Sequence, residues 1–226
     1  MSIFRKEKNN EIDTVSQDVT HSTPTEAPLL TEEELREEHP LAEIVRFALI
    51  ALIIVIPIRW FVAQPFIVSG ASMESTFHNG EYLIVDQISY YFEEPKRGEV
   101  IIFRYPHDPS KFFIKRVIGI PGDTVKIDGN VVSIINSEFP QGQIIEEPYI
   151  KSMEPNTHKT EKLTENEYFV MGDNRDASSD SRSWGILSRD KIIGRAFLRL
   201  FPINEASVFP GKYDTQHALE TSAENN

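Results

Sequence analysis

The sequence predicts a mainly β protein, an antiparallel β-sheet domain behind one N-terminal membrane-length helix. Three observations carry that expectation. From residue 64 onward, short apolar or alternating runs recur, among them Tyr82-Leu83-Ile84-Val85, Val100-Ile101-Ile102-Phe103, Phe112 to Ile118, Val125-Lys126-Ile127, Val131-Val132-Ser133-Ile134-Ile135 and Tyr168-Phe169-Val170-Met171. Turn signals separate them: Asn79-Gly80, Arg97-Gly98, Pro121-Gly122-Asp123 and Asp128-Gly129-Asn130, the last between two β-rich arms. No long helical period lies between the runs, which excludes the helical crossovers of a parallel α/β sheet. Upstream of them lies a single apolar segment whose centre, Phe47 to Ile58, is uninterrupted by charge except at its edges.

Taken in order, residues 1–40 read as a disordered tail, because Asn9 to Pro28 is rich in polar residues and poor in large apolar ones. Thr31 and Glu34 have capping-box spacing, but Thr31 to Glu38 reads better as a solvated acidic stretch. Residues 41–63 are the membrane candidate. At 1.5 Å per residue they span about 34 Å, against about 30 Å for a hydrocarbon core. Glu43, Arg46 and Arg59 sit toward the ends, where side chains can snorkel, and Trp60 sits where an interfacial aromatic belongs. A buried core helix is the competing reading. A cleavable leader is disfavoured by the long polar stretch that precedes the segment. Arg36 and Arg46 before the span, against Arg59 after it, bias the N-terminus toward the cytoplasm. Residues 64–212 form the β domain, with 136–166 a looser insertion marked by Pro140, Gly142, Pro148 and Pro155; residues 213–226 form a frayed tail.

Composition excludes several classes. The chain has no cysteine, so a disulfide scaffold, a Cys-ligated zinc site and a cysteine nucleophile are ruled out. A net charge of -12 over 226 residues argues against nucleic acid as a partner.

Two residues carry the chemistry. Ser72 lies in Val68-Ser69-Gly70-Ala71-Ser72-Met73, a glycine-containing turn; Lys115 lies within Phe112-Phe113-Ile114-Lys115-Arg116-Val117-Ile118-Gly119. A serine hydroxyl needs a base to become a nucleophile. A free lysine, with a pKa of about 10.4, is neutral about once in a thousand at pH 7.5, and lowering that pKa to about 8 takes roughly 3 kcal/mol of bias against the ammonium. Burial among apolar groups supplies such a bias. On a strand, Phe113, Lys115 and Val117 share one face, and Ile114 and Arg116 the other. Of the six histidines, His78 and His107 border turns, and none lies in a strand context that would fix it against Ser72. Taken singly, Ser72 also reads as a turn serine and Lys115 as a charge that guards an edge strand.

Four stretches in order resolve that ambiguity. They are Gly70 to Met73, Arg97-Gly98-Glu99-Val100-Ile101-Ile102-Phe103, Ile114 to Asp123, and Gly172-Asp173-Asn174-Arg175-Asp176 running on through Ser178, Asp180, Ser181, Arg182, Trp184 and Gly185. Together they resemble the ordered boxes of bacterial type I signal peptidases, from the membrane span to about Pro202. The resemblance implies a membrane-anchored serine endopeptidase with an extracytoplasmic β domain. Its partners would be the lipid bilayer and the signal-peptide region of exported preproteins, and it would need no cofactor or metal. It implies Ser72 as nucleophile, Lys115 as general base and the Ser72 backbone N–H in the oxyanion hole. Ser178 would orient Lys115, Asp180 and Arg182 would brace the site, and Asp173 would pair with Arg116. Phe66, Val68, Met73 and Ile114 would line small pockets for the residues one and three before the cut.

Two departures stand out. Gly70 occupies a position where some members carry a serine that completes the oxyanion hole, which leaves the second donor unassigned. Ser75 stands where the family pattern has proline, so Ser75→Pro is expected to be tolerated and to stabilise the domain by roughly 0.4 to 1 kcal/mol through the unfolded chain. Two other readings compete with this one. A self-cleaving repressor-type Ser–Lys protease is disfavoured by the membrane span and the 172–185 box. An inactive tethered module that captures peptides by strand addition is disfavoured by the retained Ser72, Lys115, Ser178 and Asp180.

Overall fold

The computed structural model describes residues 40–57, 63–150 and 157–213. Most of the N-terminal tail, Arg59, Trp60 and the residues after Tyr213 lie outside them. The chain divides into two units, Met1–Phe47 and Ala48–Asn226. Helix α1, Pro40–Pro57, has no buried residue and is long and apolar enough to cross a membrane. Its 18 residues amount to about 27 Å of helix.

The rest is built from antiparallel strands, as the alternating runs predict. The strands are β1 (Ala63–Ile67), β2 (Tyr82–Asp86), β3 (Val100–Tyr105), β4 (Asp108–Gly119), β5 (Thr124–Asp128), β6 (Val131–Ile135), β7 (Gln143–Ile144), β8 (His158–Lys162), β9 (Glu167–Met171), β10 (Leu187–Ser188), β11 (Ile192–Phe201) and β12 (Ser207–Val208). A four-residue helix, α2 (Ser181–Trp184), follows β9. The larger sheet runs β1-β2-β11-β3-β4-β9-β10, with β12 on β11; the smaller runs β7-β6-β5-β8.

Burial explains the sequence pattern of each strand. Val100 to Phe103 of β3 are all buried, which is why that run is continuously apolar. In β5 and β6, Val125, Ile127, Val132 and Ile134 are buried and alternate with more exposed residues, the period-two signature of a sheet covered on one face. Asp128 pairs with Val131 across Gly129 and Asn130, so the expected hairpin turn is a two-residue loop. Two clusters flank the large sheet, one around Val68, Met73, Phe77 and Leu83, the other around Tyr90, Ile101, Phe103 and Val117. Ile114 packs on the first and Phe113 on the second, so β4 alternates faces as its sequence implies.

Strand β4 joins the two sheets. It pairs with β3 and β9, then turns through Pro121 and Gly122 into β5. At the junction a Cβ on Gly119 would lie 2.4 Å from Val125 Cγ2 and 2.7 Å from Leu163 Cδ1, so only glycine lets the sheets approach there. A buried ion pair, Arg97 to Asp123 at 2.8 Å, ties the turn back to the larger sheet. Within 136–166, read as a looser insertion, residues 143–144 and 158–162 form strands, and Ile145 is buried in the core of the smaller sheet.

Candidate active site

Ser72 follows β1 on a tight turn, and Lys115 sits midway along β4. Opposite Ile101 of β3, Lys115 is buried, with 3% of its surface exposed. Its ammonium donates to Ser72 Oγ at 2.7 Å and to the Ile114 carbonyl at 2.9 Å, and it lies 5.3 Å from the centre of the Phe113 ring. Burial pulls its pKa down from 10.5 to about 8, against the carboxylates of Asp180 and Asp173, which favour the ammonium, and with Arg182, which disfavours it. Neither candidate histidine is Ser72's partner: the His107 ring faces Tyr105, and His78 is exposed.

The loop from Gly172 to α2 holds Ser72 from behind. Asn174 N donates to the Ser72 carbonyl and its Nδ2 to the Ala71 carbonyl, both at 3.0 Å. A Cβ on Gly172 would lie 2.4 Å from the Ser72 carbonyl oxygen, so glycine permits that approach. Asp180, fully buried, accepts from Gly172 N at 3.0 Å and from Arg182 at 2.9 Å through both Nε and Nη2. Burial alone would raise the Asp180 pKa, but the Arg182 bonds and charge hold it below the usual carboxylate value. Arg116 grips Asp173 at two points, 2.8 and 2.6 Å, and Thr76 Oγ1 donates to the same carboxylate at 2.5 Å. With the carboxylates of Asp173 and Asp180 each bound by an arginine, this loop is built as a brace.

Other expected residues are placed differently. Ser178 makes no hydrogen bond to Lys115; among the described residues its buried Oγ has no hydrogen-bond partner. Phe66, Val68 and Ile114 line a cleft of about 480 Å³ beside Ser72, together with Leu83, Ile102 and Phe113. Met73 does not line it and is packed in the core beneath, 1% exposed. The Gly70 N–H donates to Asn79 Oδ1 at 3.0 Å, so it is already engaged and is not the missing oxyanion donor. Asn79, Asn174, Thr76 and Arg175 carry no role in the sequence reading. Each makes a hydrogen bond or ion pair to a residue nine or more positions away.

Ser75 overturns the expectation for proline. It sits at φ 95°, a left-handed conformation, and its Oγ donates to the Tyr149 carbonyl at 2.6 Å. Proline is held near φ −65° and cannot occupy that site. The turn after Ser72 therefore differs in shape from the one a proline would impose.

The family model described as signal peptidase, peptidase S26, matches residues 41–201. The signal peptidase I of Leptolyngbya laminosa is 37% identical over 196 residues, covering 84% of this chain and 93% of that protein. The signal peptidase I of Bacillus licheniformis is 33% identical over 188 residues, covering 78% of this chain and 97% of that protein. A crystal structure of a signal peptidase I from Enterococcus faecalis V583 is 28% identical, covers 46% of this chain and 97% of that chain, and has a TM-score of 0.38, too low to bear on the fold.

Two outcomes are expected from this geometry. Ser75→Pro lowers the melting temperature and the cleavage rate, whereas Ser75→Gly, which tolerates φ 95° but loses the Tyr149 bond, keeps most of both. Thermal melts with cleavage assays on the same samples check this, and a Ser75→Pro variant as stable as the parent would contradict the turn geometry. The second concerns Lys115. Because the native state depresses its pKa, burial destabilises the fold by roughly 3 kcal/mol below pH 8, and that cost fades as pH rises from 8 toward 10.5. Lys115→Met should thus raise stability to denaturant at pH 7 and lose that advantage near pH 10.5. An equal gain at both pH values would show that desolvation of the charge is not its source.

Proposed function

This chain belongs to the signal peptidase family, peptidase S26, and we propose that it cuts signal peptides with a Ser72–Lys115 dyad while anchored in the membrane. As a member it is a serine peptidase that removes signal peptides from preproteins. The observation that carries the dyad is the 2.7 Å contact between Lys115 Nζ and Ser72 Oγ at a lysine shielded from water.

The reaction follows from those two groups. The neutral Lys115 amine takes the Ser72 proton as Oγ attacks the carbonyl carbon of the scissile bond. Negative charge collects on the former carbonyl oxygen, where the Ser72 N–H stabilises it. The ammonium then returns its proton to the leaving amine, and a water activated by the same amine releases the acyl group from Ser72. Arginine at position 115 stays protonated and cannot serve. The apolar cleft lined by Phe66, Val68 and Ile114 supports a preference for small side chains at positions one and three before the cut. Helix α1 is the anchor, with the N-terminus cytoplasmic and the catalytic domain on the outer face of the bacterial plasma membrane, where preproteins present their cleavage sites.

Ser72→Ala and Lys115→Ala are each expected to remove nearly all cleavage of a preprotein, with the double variant no worse than either, since the two act as a unit. Lys115→Arg should be equally inactive. If Lys115→Ala kept more than about a tenth of the parent rate, or if His78→Ala or His107→Ala abolished it, another base would be at work. The pH dependence has the same origin. Only the amine accepts the proton, so the rate rises as pH passes the Lys115 value of about 8 and levels off above it. A rate that peaks near pH 6 and declines above would rule out lysine as the base.

A further inference from the structure

The segment that follows β7 leaves the smaller sheet and crosses behind the dyad. Ile145 is 4% exposed and its N–H donates to the Val132 carbonyl at 2.9 Å, which fixes the start of the strap in the smaller sheet. Beyond it, Glu147 and Tyr149 reach the larger sheet. The Glu147 carboxylate takes both Nη groups of Arg175, one of them at 2.8 Å, in a pair whose side chains are 5% and 0% exposed. The Tyr149 hydroxyl donates to Glu147 Oε1 at 2.8 Å, its ring lies 3.9 Å from the Arg116 guanidinium carbon, and its carbonyl accepts from Ser75 Oγ. Burial, and then the Glu147 charge, hold the phenol well above its ordinary pKa, so it remains a donor at any working pH.

These contacts meet each support of the dyad. Arg175 Nε donates to the Gly172 carbonyl at 3.0 Å and the Arg175 carbonyl accepts from Arg182 at 2.6 Å, so Arg175 joins both ends of the loop that carries Asn174 and Asp180. Arg116 neighbours Lys115 on β4 and holds Asp173. Ser75 lies in the nucleophile turn. We propose that Glu147 and Tyr149 are positioning residues for the cleavage reaction, through which the smaller sheet sets the distance between Ser72 and Lys115. The proposal rests on the Ser72–Lys115 reading above. Neither residue touches the reacting atoms or lines the cleft, so both act through Arg175, Arg116 and Ser75.

Removing the Glu147 charge takes from the buried Arg175 cation the carboxylate that holds both its Nη groups, and Asp173 is another carboxylate whose charge acts on it. The positive charge so left uncompensated then bears on Asp173. The charges that face Lys115 are Asp180, Asp173 and Arg182, so a more fully neutralised Asp173 favours the amine and moves its titration to lower pH.

The test uses the full chain in detergent micelles, with a preprotein substrate and Ser72→Ala as control. Glu147→Gln is expected to lower kcat about tenfold or more, to leave KM within about threefold, and to move the pH of half-maximal kcat downward. Glu147→Asp, which keeps the carboxylate, should recover much of the loss. Tyr149→Leu, which keeps bulk but removes the ring face and the hydroxyl, should lower kcat severalfold at constant KM; it also carries the test if Glu147→Gln does not fold. Unchanged kcat and midpoint in these variants overturn the proposal, as does a loss of activity that matches the loss of folded protein while the remaining enzyme titrates like the parent. Activity surviving in Ser72→Ala would instead sink the dyad reading itself.

Discussion

The site depends on one unfavourable fact, the removal of a lysine side chain from water. In water the amine would be protonated and useless as a base at neutral pH. Here β3, β9 and the Gly172 loop enclose it, and burial lowers its pKa to about 8. The enclosure also has to avoid over-stabilising the ammonium. Asp180 and Asp173 both favour the charged form, and each carboxylate is bound by an arginine that offsets it. The pairing of Asp180 and Asp173 with guanidinium groups thus bears on Lys115 as much as on the fold.

Arginine–carboxylate pairs shielded from water recur through the domain, among them Arg97 with Asp123, Arg116 with Asp173, Arg182 with Asp180, and Arg175 with Glu147. Buried ion pairs add little net stability, because desolvation offsets most of their attraction. Two-point contact in the Arg116–Asp173, Arg182–Asp180 and Arg175–Glu147 pairs restricts orientation, and Arg97–Asp123 and Arg175–Glu147 join segments that no strand ladder pairs. Arg97–Asp123 holds the turn between the sheets. The other three surround the nucleophile turn and the strand that carries Lys115. The same desolvation makes any single partner costly to lose, since its mate is left as a buried, uncompensated charge.

Much of this was legible in the sequence because it follows from local pattern. Alternation in β5 and β6, the continuous apolar run of β3 and the Asp128-Gly129-Asn130 turn are each consequences of two-residue periodicity and glycine's conformational range. The apolar environment of Lys115 was visible in its strand neighbours. Other features were not legible, for reasons that can be stated. Met73 reads as a pocket residue from its motif, but the turn after Ser72 directs it into the core. Ser75 reads as a substitute for proline, but its φ is 95° and its Oγ bonds the carbonyl of Tyr149, which lies 74 positions away.

By itself, the sequence determined the strand pattern, the apolar helix and the family, and singled out Ser72 and Lys115, because these rest on residue type and short-range spacing. Tertiary structure alone decided what meets across the chain. It brought Lys115 to Ser72, 43 positions apart, turned Asn174 onto the nucleophile's carbonyl, and used Asn79 to occupy the Gly70 N–H. It also placed Glu147 and Tyr149, in a proline-marked stretch with weak periodicity, against Arg175 and Arg116. The physical reason is that hydrogen bonds and ion pairs depend on distances of about 3 Å between side chains, and such distances are set by how sheets stack and turns bend, which no local pattern encodes.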